Sequence, residues 1–331
     1  MTRRALDRRA FVGALAGAAL APAVARAQAL PSGPPPPPGA IVLQVGCALD
    51  DQTTPLLYAQ SAGLFAKNGL DVRIVRLTSG AAIAAAIAGG TLQLGKSSIL
   101  NLIVAHARGI PFTLVAPSSI YRSERPDGGL IVAPASKVKA AKDLSGAIVG
   151  VASLSDLNAI ATAAWIDANG GDSTQTKFVE MSPAATAAAL DQARIEGATL
   201  WNPLLTQAIN GGHARFAAPV FDAIGKRYQV AAWFADATWV AQNRTAVDRF
   251  TAAMHQANVY VAAHENETTG LIAAFLGLDA AELATMARST PAPYLVATEI
   301  DPVIAVAAKY KKIPAVFSAA EMISPAALTP K

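Results

Sequence analysis

From Ile41 onward, apolar runs and small-residue helices alternate, with glycine pairs and capping residues between them. Ile41 to Gly46 is a short, mostly apolar run and reads as a buried strand. Thr53-Thr54-Pro55 supplies a helix cap with proline near the first turn. Tyr58, Ala62 and Phe65 then fall on one helical face, and Asn68-Gly69 stops it. Leu70 to Val75 alternates with period two, a strand. Ser79-Gly80 opens a helix over Ala81–Ala88, closed by Gly89-Gly90. Thr91–Gly95 is read as a strand, Ser97–Arg108 as a helix ended by Gly109, and Phe112–Ala116 and Gly129–Ala133 as strands.

The second half repeats the rhythm. Ala147–Ala152, Lys177–Met181 and Ala198–Trp201 read as strands, with helices over Ser155–Asn169, Ser182–Gln192 and Pro203–Asn210. Tyr228–Gln242 reads as extended. The rest is helical: Thr245–His264, Thr268–Phe275, Ala280–Ser289 and Thr298–Tyr310. Strands alternating with helices imply parallel sheets covered on both faces, and two such runs imply two α/β lobes.

Composition agrees with a chain that folds. Of 331 residues, 53% are hydrophobic and 15% charged, ample for a core and about two domains by length. The net charge of +4 is concentrated at the start, where Arg3, Arg4, Arg8, Arg9 and Arg26 face one acid, Asp7. Beyond residue 27 the charges balance, so nucleic acid is an unsuitable partner.

Residues 1–29 follow the grammar of a cleaved export signal: basic residues, a stretch from Phe11 to Ala25 too short to span a membrane, then small residues at Ala25-Arg26-Ala27 and Ala27-Gln28-Ala29. Asp7-Arg8-Arg9-Ala10-Phe11-Val12 resembles a twin-arginine signal. Cleavage near 27–29 and a periplasmic destination are expected. Residues 30–40 contain PSGPPPPPG, a stiff extended spacer of polyproline type.

Catalytic motifs are missing from the sequence. It has no phosphate loop, no nucleophile elbow after the signal, and no acidic metal loop. The single cysteine, Cys47, excludes an internal disulfide and a cysteine-rich metal site. It lies in an apolar run, as an inert packing residue does. His106, His213, His255 and His264 are scattered. No cofactor, no metal and no enzymatic activity are expected.

Five phrases, in order, resemble the periplasmic solute-binding family that serves alkanesulfonates, taurine, nitrate and pyrimidine precursors of thiamine. They are Tyr58–Phe65 with Asn68–Val72, Ala88–Gly95, Asp143–Gly146 with Val149–Val151, Glu196–Pro203, and Lys309–Tyr310 with Ile313, Pro314, Phe317, Ala320, Glu321 and Ile323. Gln93 and Asn202 stand where the family more often has acids. The resemblance implies a type II periplasmic-binding-protein fold. This is a two-lobed α/β clamp, each lobe a mainly parallel sheet with helices on both faces, joined by a two-strand hinge. Lobe one would hold 41–134 and 236–331, lobe two 135–235, with hinge crossings near Leu130–Ala135 and Ala232–Val240. The partners implied are a small-molecule ligand and the permease and ATPase of an ABC-type importer, with the protein itself a monomer.

In such sheets ligands sit beyond the carboxyl ends of strands, against helix N-termini whose free amides favour anions. The qualifying junctions give Leu49, Asp50, Thr53 and Thr54; Ser79 and Gly80; Lys96, Ser97 and Ser98; and Ser153, Ser155 and Asp156. Trp201 and Asn202, ending a strand in lobe two, would face the cleft. Ser97, Ser98 and Ser155 serve equally well as helix caps, and Trp201 as core. Hydroxyl-rich junctions, Lys96 and the amide at Asn202 suggest a small organic anion such as a sulfonate or aromatic carboxylate. A neutral or cationic heterocycle, such as a thiamine pyrimidine precursor, is the alternative. An acidic, aromatic-lined cleft would favour it. An enzyme on the same fold is a third reading.

Overall fold

The computed structural model describes residues 30–327; the expected export signal lies outside them. The first lobe begins with β1 (Ile41–Cys47), α1 (Thr54–Ser61), α2 (Leu64–Lys67), β2 (Leu70–Arg76), α3 (Gly80–Ala88), β3 (Leu94–Ser98), α4 (Ile99–Ala107) and β4 (Phe112–Arg122). The chain then enters the second lobe: β5 (Gly128–Val132), β6 (Ile148–Val151), α5 (Leu157–Ala168), β7 (Lys177–Glu180), α6 (Pro183–Asp191), β8 (Gly197–Trp201), α7 (Leu204–Asn210) and β9 (Arg215–Ala218). It returns as β10 (Arg227–Asp236), α8 (Ala237–Gln242), α9 (Arg244–Ala263), α10 (Glu265–Leu276), α11 (Ala280–Leu283), β11 (Thr290–Pro291) and α12 (Ala297–Lys309).

The sheets are ordered β11-β4-β10-β3-β1-β2 and β7-β6-β8-β5-β9. In each, a parallel trio (β2-β1-β3 and β7-β6-β8) is followed by one opposing strand, β10 or β5. Those opposing strands are the ones that arrive from the other lobe. The remainder run with the trio, apart from the two-residue β11, so both sheets are mainly parallel.

Lobe one is built on β1, whose Leu43, Val45 and Cys47 are fully buried. Leu56 and Leu57 of α1 reach the same core, each contributing about 1.5–3 kcal/mol. Tyr58 stacks on Tyr260 of α9 at 4.2 Å, and Phe65 on Phe250 at 5.8 Å. The helix expected through Phe65 is broken at Gly63, where φ is +69°, so Phe65 belongs to α2. The spacer has no regular structure but lies on this lobe. A Cβ on Gly63 would come 2.4 Å from Pro34, which is why Pro34 can seat there.

Sheet membership departs from the expected boundaries. β5, within 41–134, pairs in the second sheet, and most of β10, within 135–235, pairs in the first. The chain passes between sheets at 123–127 and 219–226, earlier than the expected crossings, which fall instead on the end of β5 and the residues after it and on the end of β10 with the start of α8. Asp222 ties the two passages together, accepting from Tyr121 Oη at 2.8 Å and Ser123 Oγ at 3.0 Å. Behind them α12 packs against α4, α5 and β10. Just beyond its core, Tyr310 Oη donates to Asp167 at 2.6 Å and Lys312 Nζ to Leu154 O at 2.9 Å, clipping the lobes.

Candidate functional site: the interlobe cleft

A cavity of about 690 Å³ opens between the lobes at the carboxyl ends of β1, β3, β6, β7 and β8. Ten of the residues expected from the sequence line it: Asp50, Ser79, Gly80, Lys96, Ser97, Ser98, Ser153, Ser155, Asp156 and Trp201. Gln52, Asn101, Asn158 and Glu180 join them unanticipated. Glu180 ends β7, so the strand-end rule that selected its neighbours applies to it too.

On the lobe-one wall, Lys96 and Ser97 are polar residues in a buried strand. Lys96 is only 3% exposed and gives its ammonium to Asp50 Oδ1 across 46 residues of chain, while the Asp50 side chain is 37% exposed. The hydroxyl of Thr53 lies 3.2 Å from that same carboxylate oxygen and 3.0 Å from Ala48 O. Ser79 caps α3 by accepting from Ala82 N at 3.2 Å. The hydroxyls of Ser97 and Ser98 are buried without a hydrogen-bond partner, and the α4 N-terminus has no side-chain cap. Gly80 makes room for the first of them, since a Cβ there would come 2.3 Å from Ser97 Oγ.

The lobe-two wall is acidic and aromatic. Asp156 caps α5, its Oδ1 accepting from Asn158 N at 2.9 Å. Burial pushes its carboxyl up to about 6; the capping amides work against that shift, the nearby Glu180 charge adds to it, and Lys312 opposes it. Glu180 accepts from Leu154 N at 3.3 Å. Trp201 is a fixed platform. Its Nε1 donates to Asn158 Oδ1 at 2.7 Å, Asn158 Nδ2 donates to Thr199 O at 2.8 Å, and Phe221 stacks behind it at 3.9 Å. Gly128 allows the ring to lie over β5, because a Cβ there would come 2.6 Å from it.

Four expected residues are elsewhere. Leu49 is exposed outside the lining. Thr53 is fully buried beneath Asp50. Thr54 faces a separate chamber of about 10 Å³ beside Asp51 and Arg288, where its hydroxyl donates to Asp51 O at 2.7 Å. Asn202 is spent on structure: Nδ2 donates to Ala287 O at 2.9 Å and Oδ1 accepts from Thr206 N and Oγ1. The amide at 202 thus does not tune the cleft's charge. Cys47 lies under the wall with its thiol pushed up to about 12 by burial, an unreactive thiol.

Proteins with this architecture include the periplasmic aliphatic sulphonate binding protein SsuA of Escherichia coli, with a TM-score of 0.72 and 18% identity over 88% of this chain and 94% of that one. The periplasmic nitrate-binding protein NrtA of Synechocystis PCC 6803 gives 0.72 and 15%, over 87% and 86%. In sequence, 62 residues are 34% identical to the 4-amino-5-hydroxymethyl-2-methylpyrimidine phosphate synthase THI11 of Saccharomyces cerevisiae. That stretch spans 19% of this chain and 18% of the yeast protein. The family model described as NMT1/THI5 like matches residues 50–268, more than half of the chain, and the protein belongs to that family.

Proposed function

We propose that the protein is the extracytoplasmic solute-binding component of an ABC-type importer, and that its ligand is a flat, neutral or cationic nitrogen heterocycle. A two-lobed clamp with a wide cleft between the lobes, held by two passages of chain, suits capture by hinge closure. The ligand would drive closure by contacting both walls at once, since only differential contacts shift such an equilibrium.

The observation that carries the ligand class is the balance of charge. Three carboxylates line the cleft, Asp50, Asp156 and Glu180, against one ammonium, Lys96, which is already paired. A sulfonate would meet more repulsion than attraction there. A ring with amino donors would lie on Trp201 and direct its N–H groups to Asp156 and Glu180. Its ring acceptors would meet the Ser97 and Ser98 hydroxyls. The aminopyrimidine named for THI11 has that chemistry. Export, a monomeric state and docking on a permease belong to the same proposal.

Calorimetry on the chain lacking residues 1–29 tests it. Micromolar or tighter binding of 4-amino-5-hydroxymethyl-2-methylpyrimidine, with no heat from alkanesulfonates or nitrate, is expected. The reverse pattern overturns the ligand class and favours the anion reading, which has the uncapped α4 N-terminus in its favour. Turnover of the pyrimidine during the titration would overturn the assignment as a binding protein.

A further inference from the structure

We infer that Asp50 determines the charge class the cleft accepts: it neutralises Lys96, and without it the same cleft becomes an anion site. The inference rests on the cleft being the ligand site, but not on the ligand being a heterocycle.

The geometry of the pair is asymmetric. Lys96 sits in the middle of the first sheet on β3, opposite Trp233 of β10, with almost no exposed surface. Asp50 comes from the loop after β1 and keeps over a third of its side chain exposed. The cavity therefore meets the carboxylate more than the ammonium. Lys96 has three N–H donors, and the interaction seen for them is the one with Asp50. Beside it are the unpartnered Ser97 and Ser98 hydroxyls and an α4 N-terminus that lacks a side-chain cap.

The elements needed to hold an oxyanion are thus assembled within the lobe-one wall, and one carboxylate cancels them. A buried ammonium without its counter-charge recruits another anion or loses its proton. The Thr53 hydroxyl shares its one proton between Ala48 O at 3.0 Å and Asp50 Oδ1 at 3.2 Å, and an amide oxygen accepts as the carboxylate does, so Asp50→Asn removes the charge with little change to the loop.

The test uses two probes of opposite charge, 1-propanesulfonate and benzamidinium, on the chain lacking residues 1–29. Asp50→Asn is expected to bind propanesulfonate at least about tenfold tighter than the parent chain, because one unit charge a few ångströms away is worth more than that. The gain should disappear in Asp50→Asn/Lys96→Met. Lys96→Met alone should shift the other way, gaining about tenfold for benzamidinium. Equal propanesulfonate affinity in the parent and in Asp50→Asn overturns the inference, as does a gain that survives Lys96→Met. If Asp50→Asn does not melt cooperatively, Lys96→Met decides: a benzamidinium gain supports the inference and its absence overturns it. The pyrimidine titration of the parent chain is a separate result, so the heterocycle reading can fail while the charge inversion stands.

Discussion

The two walls of the cleft are braced in opposite ways. Lobe two holds its cleft-facing ring from behind: Asn158 ties Trp201 to Thr199 O, and the Thr199 and Thr162 hydroxyls meet at 2.6 Å. Nearly every polar atom behind that wall is used. Lobe one braces itself with charge. Asp51, next to the cleft-facing Asp50, is buried against Arg288, which reaches it through Nε at 2.7 Å and Nη2 at 2.6 Å. Arg288 also donates to Thr269 and Thr54. On the cleft side of the same lobe the Ser97 and Ser98 hydroxyls are left without partners. The difference assigns roles. A wall whose hydrogen bonds are complete offers a surface to lie on. A wall with buried unpaired hydroxyls carries a cost that a ligand can relieve.

The largest expected effect comes from the lobe-one brace. Arg288→Ala leaves the Asp51 carboxylate buried without its counter-charge, and breaking such a pair costs about 3–5 kcal/mol. Urea denaturation should show that loss. A change under 1 kcal/mol would mean that Asp51 reaches water or another donor, and that the two walls are braced alike. Removing both charges, in Asp51→Asn/Arg288→Met, should cost less than Arg288→Ala alone.

Legibility in the sequence divides along the same line. β1, β2 and α3 are legible because their buried faces are apolar, and α5 is legible from its Asp156 cap although Asn158 and Thr162 are buried in it. The pattern predicts β3 over Thr91–Gly95, whereas it runs Leu94–Ser98, because Lys96 and Ser97 are polar residues buried in a strand. The hydrophobic pattern failed where the cleft needs chemistry. α8 falls within Tyr228–Gln242, which reads as extended, although Asp236 starts a helix by accepting from Trp239 N at 2.9 Å. β9 and β11, two short edge strands, leave no hydrophobic pattern long enough to predict them. α11 ends at Leu283, and the segment expected to continue it to Ser289 instead carries Arg288 into the core. Strand ends found most of the cleft, but the pairing of Asp50 with Lys96 is a tertiary fact that spacing does not report.

The next effect is a pH dependence on the acidic wall. The folded protein holds the Asp156 proton to about 6, against an ordinary value of 3.8 in the unfolded chain. The folded state therefore binds the extra proton between those values. The stability this contributes is fully present below the unfolded value and is lost as pH rises through about 6, on the order of 2–3 kcal/mol in all. Asp156→Asn keeps an acceptor for the Asn158 amide and removes that slope. Urea midpoints at pH 4, 5 and 8 should converge between variant and parent at acid pH and favour the variant at pH 8. Affinity for a cationic ligand should move oppositely, rising with pH over the same window in the parent only. Parallel curves for the two proteins would place Asp156 in contact with water and remove it from the comparison.

The smallest effect on folding, and the most direct on the division of roles, is Ser97→Ala. Ser97 is 4% exposed and its hydroxyl has no hydrogen-bond partner in the fold. Deleting a buried, unpartnered polar atom is neutral or stabilising by up to about 1 kcal/mol, whereas deleting a partnered one is destabilising. If the hydroxyl is kept for the ligand, its loss appears only in the bound state, as a fall in affinity of roughly fivefold to tenfold for a net hydrogen bond. The expected signature is thus an unchanged or higher urea midpoint together with weaker binding. A lower midpoint with unchanged affinity would show that the lobe-one hydroxyls belong to the fold, and the opposition between a finished wall and an open one would then have no physical basis.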